Sequence, residues 1–231
     1  IDLGTFFAVS TLPGRECRLT AGDLMEEVRF GISSPRPVDA SWANYIIGVV
    51  AGLVQGRGIV SGFQAMFLGN VPLGGGLSSS AALEMSAGLA LARLYRIACG
   101  KHQIAGIGQR AEHDYAGTKC GLLDQLTSLY GRENRLVFTD FRSLEIDTAP
   151  LEPDLAFLVC NTHVKHALVE SEYNQRRQEC ELAAASFGKV LAHPVSALRD
   201  VSWEEFEEFR AGLDPAAARR AEHVIGENRR V

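Results

Sequence analysis

One stretch constrains this chain more than any other: residues 70–89, NVPLGGGLSSSAALEMSAGL. A short entry, Val71-Pro72-Leu73, runs into Gly74, Gly75 and Gly76. Then come Ser78, Ser79 and Ser80, followed by strong helix formers from Ala81 to Met85. Glycines take positive φ without steric cost and let backbone approach a ligand closely. The first N–H groups of a helix have no partner within it, and the helix dipole makes that end positive. The pattern therefore predicts either a plain turn into a helix capped by Ser78, or a loop that cradles a phosphate or another anion. Two common nucleotide loops are excluded. No lysine follows the glycines, so this is not G-x-x-x-x-G-K-[ST], and Gly74-Gly75-Gly76-Leu77-Ser78-Ser79 lacks the third glycine of G-x-G-x-x-G. Without a lysine, a phosphate bound here must be neutralised by backbone dipoles and a metal. The Ser80 hydroxyl is a candidate ligand.

Residues 72–82, P-x-G-x-G-L-S-S-S-A and a further alanine, resemble the phosphate loop of the GHMP kinases without a gap. The resemblance implies an α+β, two-lobed kinase fold with its active site in the cleft between the lobes. It implies ATP and Mg²⁺ as nucleotide and metal. Gly74, Gly75, Gly76, Leu77, Ser78, Ser79 and Ser80 would hold the nucleotide, and Ser80 would also face the metal.

Composition narrows the class. The chain has 231 residues, 46% hydrophobic and 22% charged, enough for one large domain or two small ones with a buried core. A net charge of −5 argues against nucleic-acid or membrane-surface partners. The five cysteines are scattered and form no C-x-x-C, which suggests reduced thiols in a cytoplasm. No apolar run approaches the ~18 residues of a membrane span. The start, IDLGTFFAVS, lacks the basic region of a signal peptide.

In chain order, residues 3–10, 17–19 and 28–30 read as strands, with a turn at Pro13-Gly14. Residues 42–53, WANYIIGVVAGL, space their apolar residues as a helix with one apolar face. Residues 59–68 suggest a strand leading to the glycine loop. A helix follows the loop to about Tyr95, and a second spans residues 102–115. Residues 135–146 read as a strand pair turning near Arg142-Ser143. Residues 155–161, LAFLVCN, form a continuous apolar run that predicts a short buried strand. A domain boundary is expected near Pro150, giving an N-terminal lobe over residues 1–150 and a C-terminal lobe over 151–231. Beyond it, a polar helix over residues 171–188 carries Tyr173, Arg176 and Arg177. Ser202 with Glu205 has capping-box spacing, and Asp214-Pro215 starts a last helix. His163 and His166 have H-x-x-H spacing with no third ligand nearby, so metal binding is not expected there.

Four residues carry two readings each. Trp42 is a core aromatic by default. Glu112 reads as a solvated helix charge, Asp124 as a helix-start cap, and Tyr173 as an amphipathic residue on a solvated helix. The galactokinase branch of the GHMP kinases implies sharper roles. The W-A-N-Y at Trp42 resembles a segment beside the adenine pocket. The glutamate of A-E-H, here Glu112, would hold Mg²⁺ together with Ser80, suiting a hard cation. C-G-x-x-D-Q resembles the segment of the catalytic aspartate, placing Asp124 at the sugar hydroxyl and Gly121 against the sugar. E-Y-x-x-R-R-x-x-C places Tyr173 at the sugar.

The resemblance thus implies ATP- and Mg²⁺-dependent phosphorylation of galactose at its anomeric hydroxyl, giving galactose 1-phosphate. Two alternatives stay open: a sister kinase for N-acetylgalactosamine, arabinose or a uronic acid, and a non-catalytic galactose and ATP sensor. Two motifs of the resemblance, an N-terminal G-R-V-N-L-I-G-E-H-x-D-Y and a C-terminal G-G-G-F-G-G, are not found in the chain. The expectation is a piece of a longer protein that would not turn over sugar by itself. Oligomeric state is not legible in the sequence.

Overall fold

The computed structural model describes residues 1–57, 61–160 and 169–230, leaving aside the side chains at 56, 57 and 169–171. The expected His163 and His166 pair lies outside the described residues. The chain divides into two compact units, Ile1–Lys165 and His166–Val231.

The first unit opens with three strands, β1 (Thr5–Thr11), β2 (Glu16–Ala21) and β3 (Glu26–Gly31). Helix α1 (Ser41–Arg57) follows, then strand β4 (Phe63–Gly69), which leads to the glycine loop. The sheet order is β1-β4-β2-β3, with β4 antiparallel to β1 and parallel to β2. Alternation decides the faces: Phe7, Val9, Phe63, Ala65 and Phe67 turn to the core, while Phe6, Met66 and Leu68 on the other face stay exposed.

Helix α2 (Ser79–Leu94) packs on β1 and α1, and helix α3 (Lys101–Ala111) packs on α1 and α2. The expected single apolar face of α1 is too narrow. Ala43, Ile46, Ile47, Val49, Val50, Ala51 and Leu53 are all buried, because α1 is covered by the other helices as well as by the sheet. Glycines let these helices approach. A Cβ at Gly48 would lie 2.7 Å from the Ala111 Cα, and one at Gly88 would lie 2.8 Å from Ile104 Cγ2. The chain then makes a π-helical turn, Glu112–Ala116, helix α4 (Leu123–Tyr130), and a hairpin of β5 (Arg135–Asp140) and β6 (Glu145–Pro150).

Residues 155–160 correct an expectation. They form no strand, and Leu155, Phe157, Leu158 and Val159 are exposed. A continuous apolar run becomes a buried strand only when other strands flank it, and among the described residues none pairs with this one.

The second unit is helical. Helices α5 (Val169–Val190), α6 (Trp203–Phe209) and α7 (Pro215–Asn228) enclose Phe187, Leu198, Phe206, Ala221 and Ile225. Local sequence sets the helix starts. The Glu205 N–H donates to Ser202 Oγ at 3.2 Å, while the Ser202 N–H donates to Glu205 Oε2 at 2.8 Å. Asp214 Oδ1 accepts from the N–H of Ala216 at 2.9 Å, just ahead of Pro215 in the first turn. Among the described residues, no helix is long and apolar enough to cross a membrane.

Candidate active site

The glycine loop turns into α2 through left-handed backbone. Gly74 and Gly76 have φ of 66° and 74°, which glycine adopts freely. Ser78 also sits at φ 58°, ψ 43°, a region that costs a non-glycine residue free energy. Ser78 occupies the cap position, yet its side chain makes no capping hydrogen bond, so the plain N-cap reading fails. The first helix-closing bond runs from the Ala82 N–H to the Ser78 carbonyl at 3.0 Å. The N–H groups of Ser79, Ser80 and Ala81 therefore precede any intrahelical partner and sit at the positive end of α2. Gly74 and Gly76 are exposed, and Ser78, Ser79 and Ser80 are half-buried. The loop is thus open to an anion.

Glu112 stands across from this helix start. It is not a solvated helix charge: only 6% of it is exposed. The Ser80 hydroxyl donates to Glu112 Oε1 at 2.8 Å. Burial raises the Glu112 carboxyl above the usual carboxylate range, and the bonds from Ser80 and Cys120 act against that rise. The π-helical turn that begins at Glu112 breaks the regular α ladder at this point; such turns frequently occur at functional sites.

The same stretch fixes the next loop. His113 Nε2 lies 2.8 Å from the Cys120 carbonyl, which can only accept, so Nε2 carries the proton. Gln109 Nε2 donates to the same carbonyl at 3.2 Å. Gln109 and His113, one turn apart, thus hold the segment that leads to Asp124. Asp124 lies half-buried in the first turn of α4. Gly121 is exposed, with open space where a Cβ would point. The Cys120 thiol is pushed up to about 12, first by burial and then by the Glu112 charge.

Trp42 lies in the first turn of α1. Its Nε1–H donates to Glu26 Oε2 at 2.6 Å, and its ring packs 5.5 Å from Phe67. Tyr173 stands on α5 in the second unit, 44% exposed. Three arginines of α7 and the turn after it are engaged within their own unit. Arg220 donates to Glu179 at 2.7 Å, Arg230 pairs with Glu227, and the Arg229 guanidinium sits 5.3 Å from the Trp203 ring centroid.

The sequence reading overlooked Glu84 and Gln125, both fully buried. Gln125 Nε2 donates to Glu84 Oε2 at 3.1 Å, joining α2 to α4 beside Asp124. A signal was present. Glu84 is the one ionisable residue of α2 before Arg93, and it falls one turn after Ser80 on the same face.

Ser80 and Glu112 offer hard oxygen donors of the type Mg²⁺ takes. Among the described residues, no cluster of three or more His, Cys, Asp or Glu side chains could hold a metal. Mg²⁺ commonly takes one or two carboxylate oxygens from a protein and completes its shell with water and phosphate.

Comparison with known proteins places this geometry. Residues 44–132 match the model of the GHMP kinases N terminal domain, a span that contains the glycine loop, Glu112 and Asp124. The chain is 42% identical over 237 residues to the galactokinase of Haemophilus influenzae (strain PittEE) and 40% identical over 238 residues to that of Pasteurella multocida (strain Pm70). Each alignment covers 100% of this chain and 60% of the relative, so the chain spans about three-fifths of the curated relatives it matches. The structure of Lactococcus lactis galactokinase complexed with galactose superposes with a TM-score of 0.89 at 28% identity, again over 100% of this chain and 60% of that one. The glycine loop, the matched domain and the likeness along the whole of this chain agree: residues 44–132 match the GHMP kinases N terminal domain, and the chain is similar throughout to part of known galactokinases.

Proposed function

We propose that the protein transfers the terminal phosphoryl group of ATP to the anomeric hydroxyl of galactose, with Mg²⁺ as cofactor. The observation that carries this reading is the 2.8 Å bond between Ser80 and Glu112 at the open start of α2. It joins an anion-binding helix end to a carboxylate that could hold a cation. The galactose named in the Lactococcus lactis structure and the galactokinase relatives support the choice of sugar.

In this reading the loop backbone from Gly74 to Ser80 receives the phosphates. The free N–H groups at the start of α2 donate to their oxygens. Ser80 and Glu112 hold Mg²⁺, which when bound neutralises phosphate charge as it shifts to the leaving group. Asp124 accepts the proton of the sugar hydroxyl or orients it, and Gly121 lets the sugar approach the backbone. Trp42 contacts the adenine and Tyr173 the sugar. Phosphoryl transfer is driven chiefly by positioning and charge neutralisation, so most of these residues act by placement. The reaction belongs in the cytoplasm, a location that the scattered cysteines Cys17, Cys99, Cys120, Cys160 and Cys180, with no C-x-x-C among them, support.

The test is ADP release by the full-length protein with Mg²⁺-ATP and a panel of galactose, N-acetylgalactosamine, arabinose and glucuronate. Turnover on galactose well above the others is the expected result. Preference for another sugar overturns the substrate. No turnover on any of them overturns the kinase reading.

A further inference from the structure

Glu84 and Gln125 pose a hydrogen-bonding problem that only one protonation state solves. Both are fully buried. One bond joins them, from Gln125 Nε2 to Glu84 Oε2 at 3.1 Å. Each retains one buried oxygen without a partner, Glu84 Oε1 and Gln125 Oε1. An ionised carboxylate only accepts, so it would leave both oxygens orphaned, at a cost for each. A carboxylic acid has one O–H to donate. The orphaned oxygen of the acid and the orphaned oxygen of the amide then become donor and acceptor of a second bond.

We propose that Glu84 stands as a neutral acid in a reciprocal pair with Gln125. Gln125 Nε2–H donates to Glu84 Oε2, and Glu84 Oε1–H donates to Gln125 Oε1. The pair ties the helix behind the phosphate loop to the helix that bears Asp124, so Glu84 and Gln125 are positioning residues for the adjoining aspartate. The role toward Asp124 rests on the kinase reading; the pair itself does not.

The surroundings favour the neutral acid. Burial raises the Glu84 carboxyl first, and the charges of Glu112 and Asp124 raise it further, to about 9. Cys120, the third titratable neighbour, is a thiol held protonated. The other elements packed on α2 bring no buried cation. β1 has no ionisable residue, and Lys101, His102 and Arg110 of α3 are exposed. In α1 the titratable residues are Tyr45 and the terminal Arg57. Gly108 leaves room for the pair: a Cβ there would lie 2.9 Å from Glu84 Oε2 and 3.3 Å from Gln125 Cγ.

Two arms test this in the full-length protein. The first concerns the pair alone and compares wild type with Glu84→Gln, whose amide can make both bonds at every pH. The folded-state pKa of Glu84 lies above its unfolded value of 4.5, so folding retains a proton that the unfolded chain releases. The associated stability is complete below about pH 4.5 and is lost progressively as pH rises toward about 9. Urea unfolding should show stability falling across this window in wild type and a shallower fall in Glu84→Gln. An infrared difference spectrum at neutral pH should show a protonated-carboxyl band that Glu84→Gln lacks. Equal pH slopes and no such band overturn the pair.

The second arm concerns position. Gln125→Met should lower kcat by roughly tenfold to a hundredfold, as expected for a misplaced reacting group, with KM for ATP nearly unchanged. The double variant Glu84→Gln with Gln125→Glu exchanges acid and amide, rebuilds both bonds and should recover kcat. A folded double variant as slow as Gln125→Met overturns the positioning role. If Gln125→Met does not fold, Gln125→Glu, which faces Glu84 with a second carboxyl and no amide N–H, takes its place as the slow variant from which the double variant must recover. Absence of turnover in wild type overturns the kinase reading only, and the infrared band and pH slope then judge the pair.

Discussion

Carboxylates in the two units meet opposite environments. In the helical unit, Glu205 closes a capping box and contacts His193 at 2.8 Å, and Glu179 accepts from Arg220. Hydrogen bonds hold both below the usual carboxylate range, the backbone bond to Ser202 foremost for Glu205 and the Arg220 bond foremost for Glu179. Beside the glycine loop, Glu84 and Glu112 are buried, and both are raised chiefly by burial. Carboxylates of the first kind close a helix start, as Glu205 does, or bridge two helices, as Glu179 does, and cost little. Carboxylates of the second kind are destabilising in isolation. Their burial next to a left-handed Ser78 and an open helix start marks a place where stability yields to a site.

The sharpest way to break this comparison uses two aspartates that both begin helices. Asp124→Asn should lower turnover by about 10²–10⁴-fold, the usual contribution of a general base, with nucleotide binding retained. Asp214→Asn should leave turnover unchanged and shift stability little, because asparagine caps a helix as well as aspartate. Steady-state kinetics and urea unfolding of the two variants check the contrast. Unchanged turnover in Asp124→Asn would remove that residue from the site.

Glycines offer the next contrast. Gly108→Ala should destabilise by about 1–3 kcal/mol through overpacking, since its Cβ would come within 2.4 Å of Met85 Cε and 2.9 Å of Glu84 Oε2. Gly226→Ala in α7 meets nothing nearer than Trp203 Cζ3 at 3.8 Å. It should stabilise by up to about 1 kcal/mol, the helix-propensity gain. Thermal unfolding with opposite signs for the two variants is the expected outcome.

The smallest effect belongs to the capping box. Ser202→Ala should cost about 1 kcal/mol and leave turnover on the sugar unchanged. Urea midpoints beside kcat would show it, and a fall in kcat would mean that the helical unit's surface network reaches the reaction.

The sequence by itself determined the features written in adjacent residues. The start of α2 after the glycines, the caps at Ser202 and Asp214, and the hairpin of β5 and β6 all follow from local backbone preference and short-range hydrogen bonds. The residue types of the candidate phosphate loop were legible too, because Pro72 to Ala82 form an unbroken motif. Tertiary structure decided what depends on neighbours distant in the chain. It gave α1 buried residues on more than one side and left residues 155–160 exposed where a buried strand was expected. It drew Glu112 to Ser80 across 32 positions, and Gln125 to Glu84 across 41. The physical reason is range: a turn or a cap is settled by contacts a few residues apart, whereas a carboxylate's burial, and with it its protonation, is settled by whichever helices close over it.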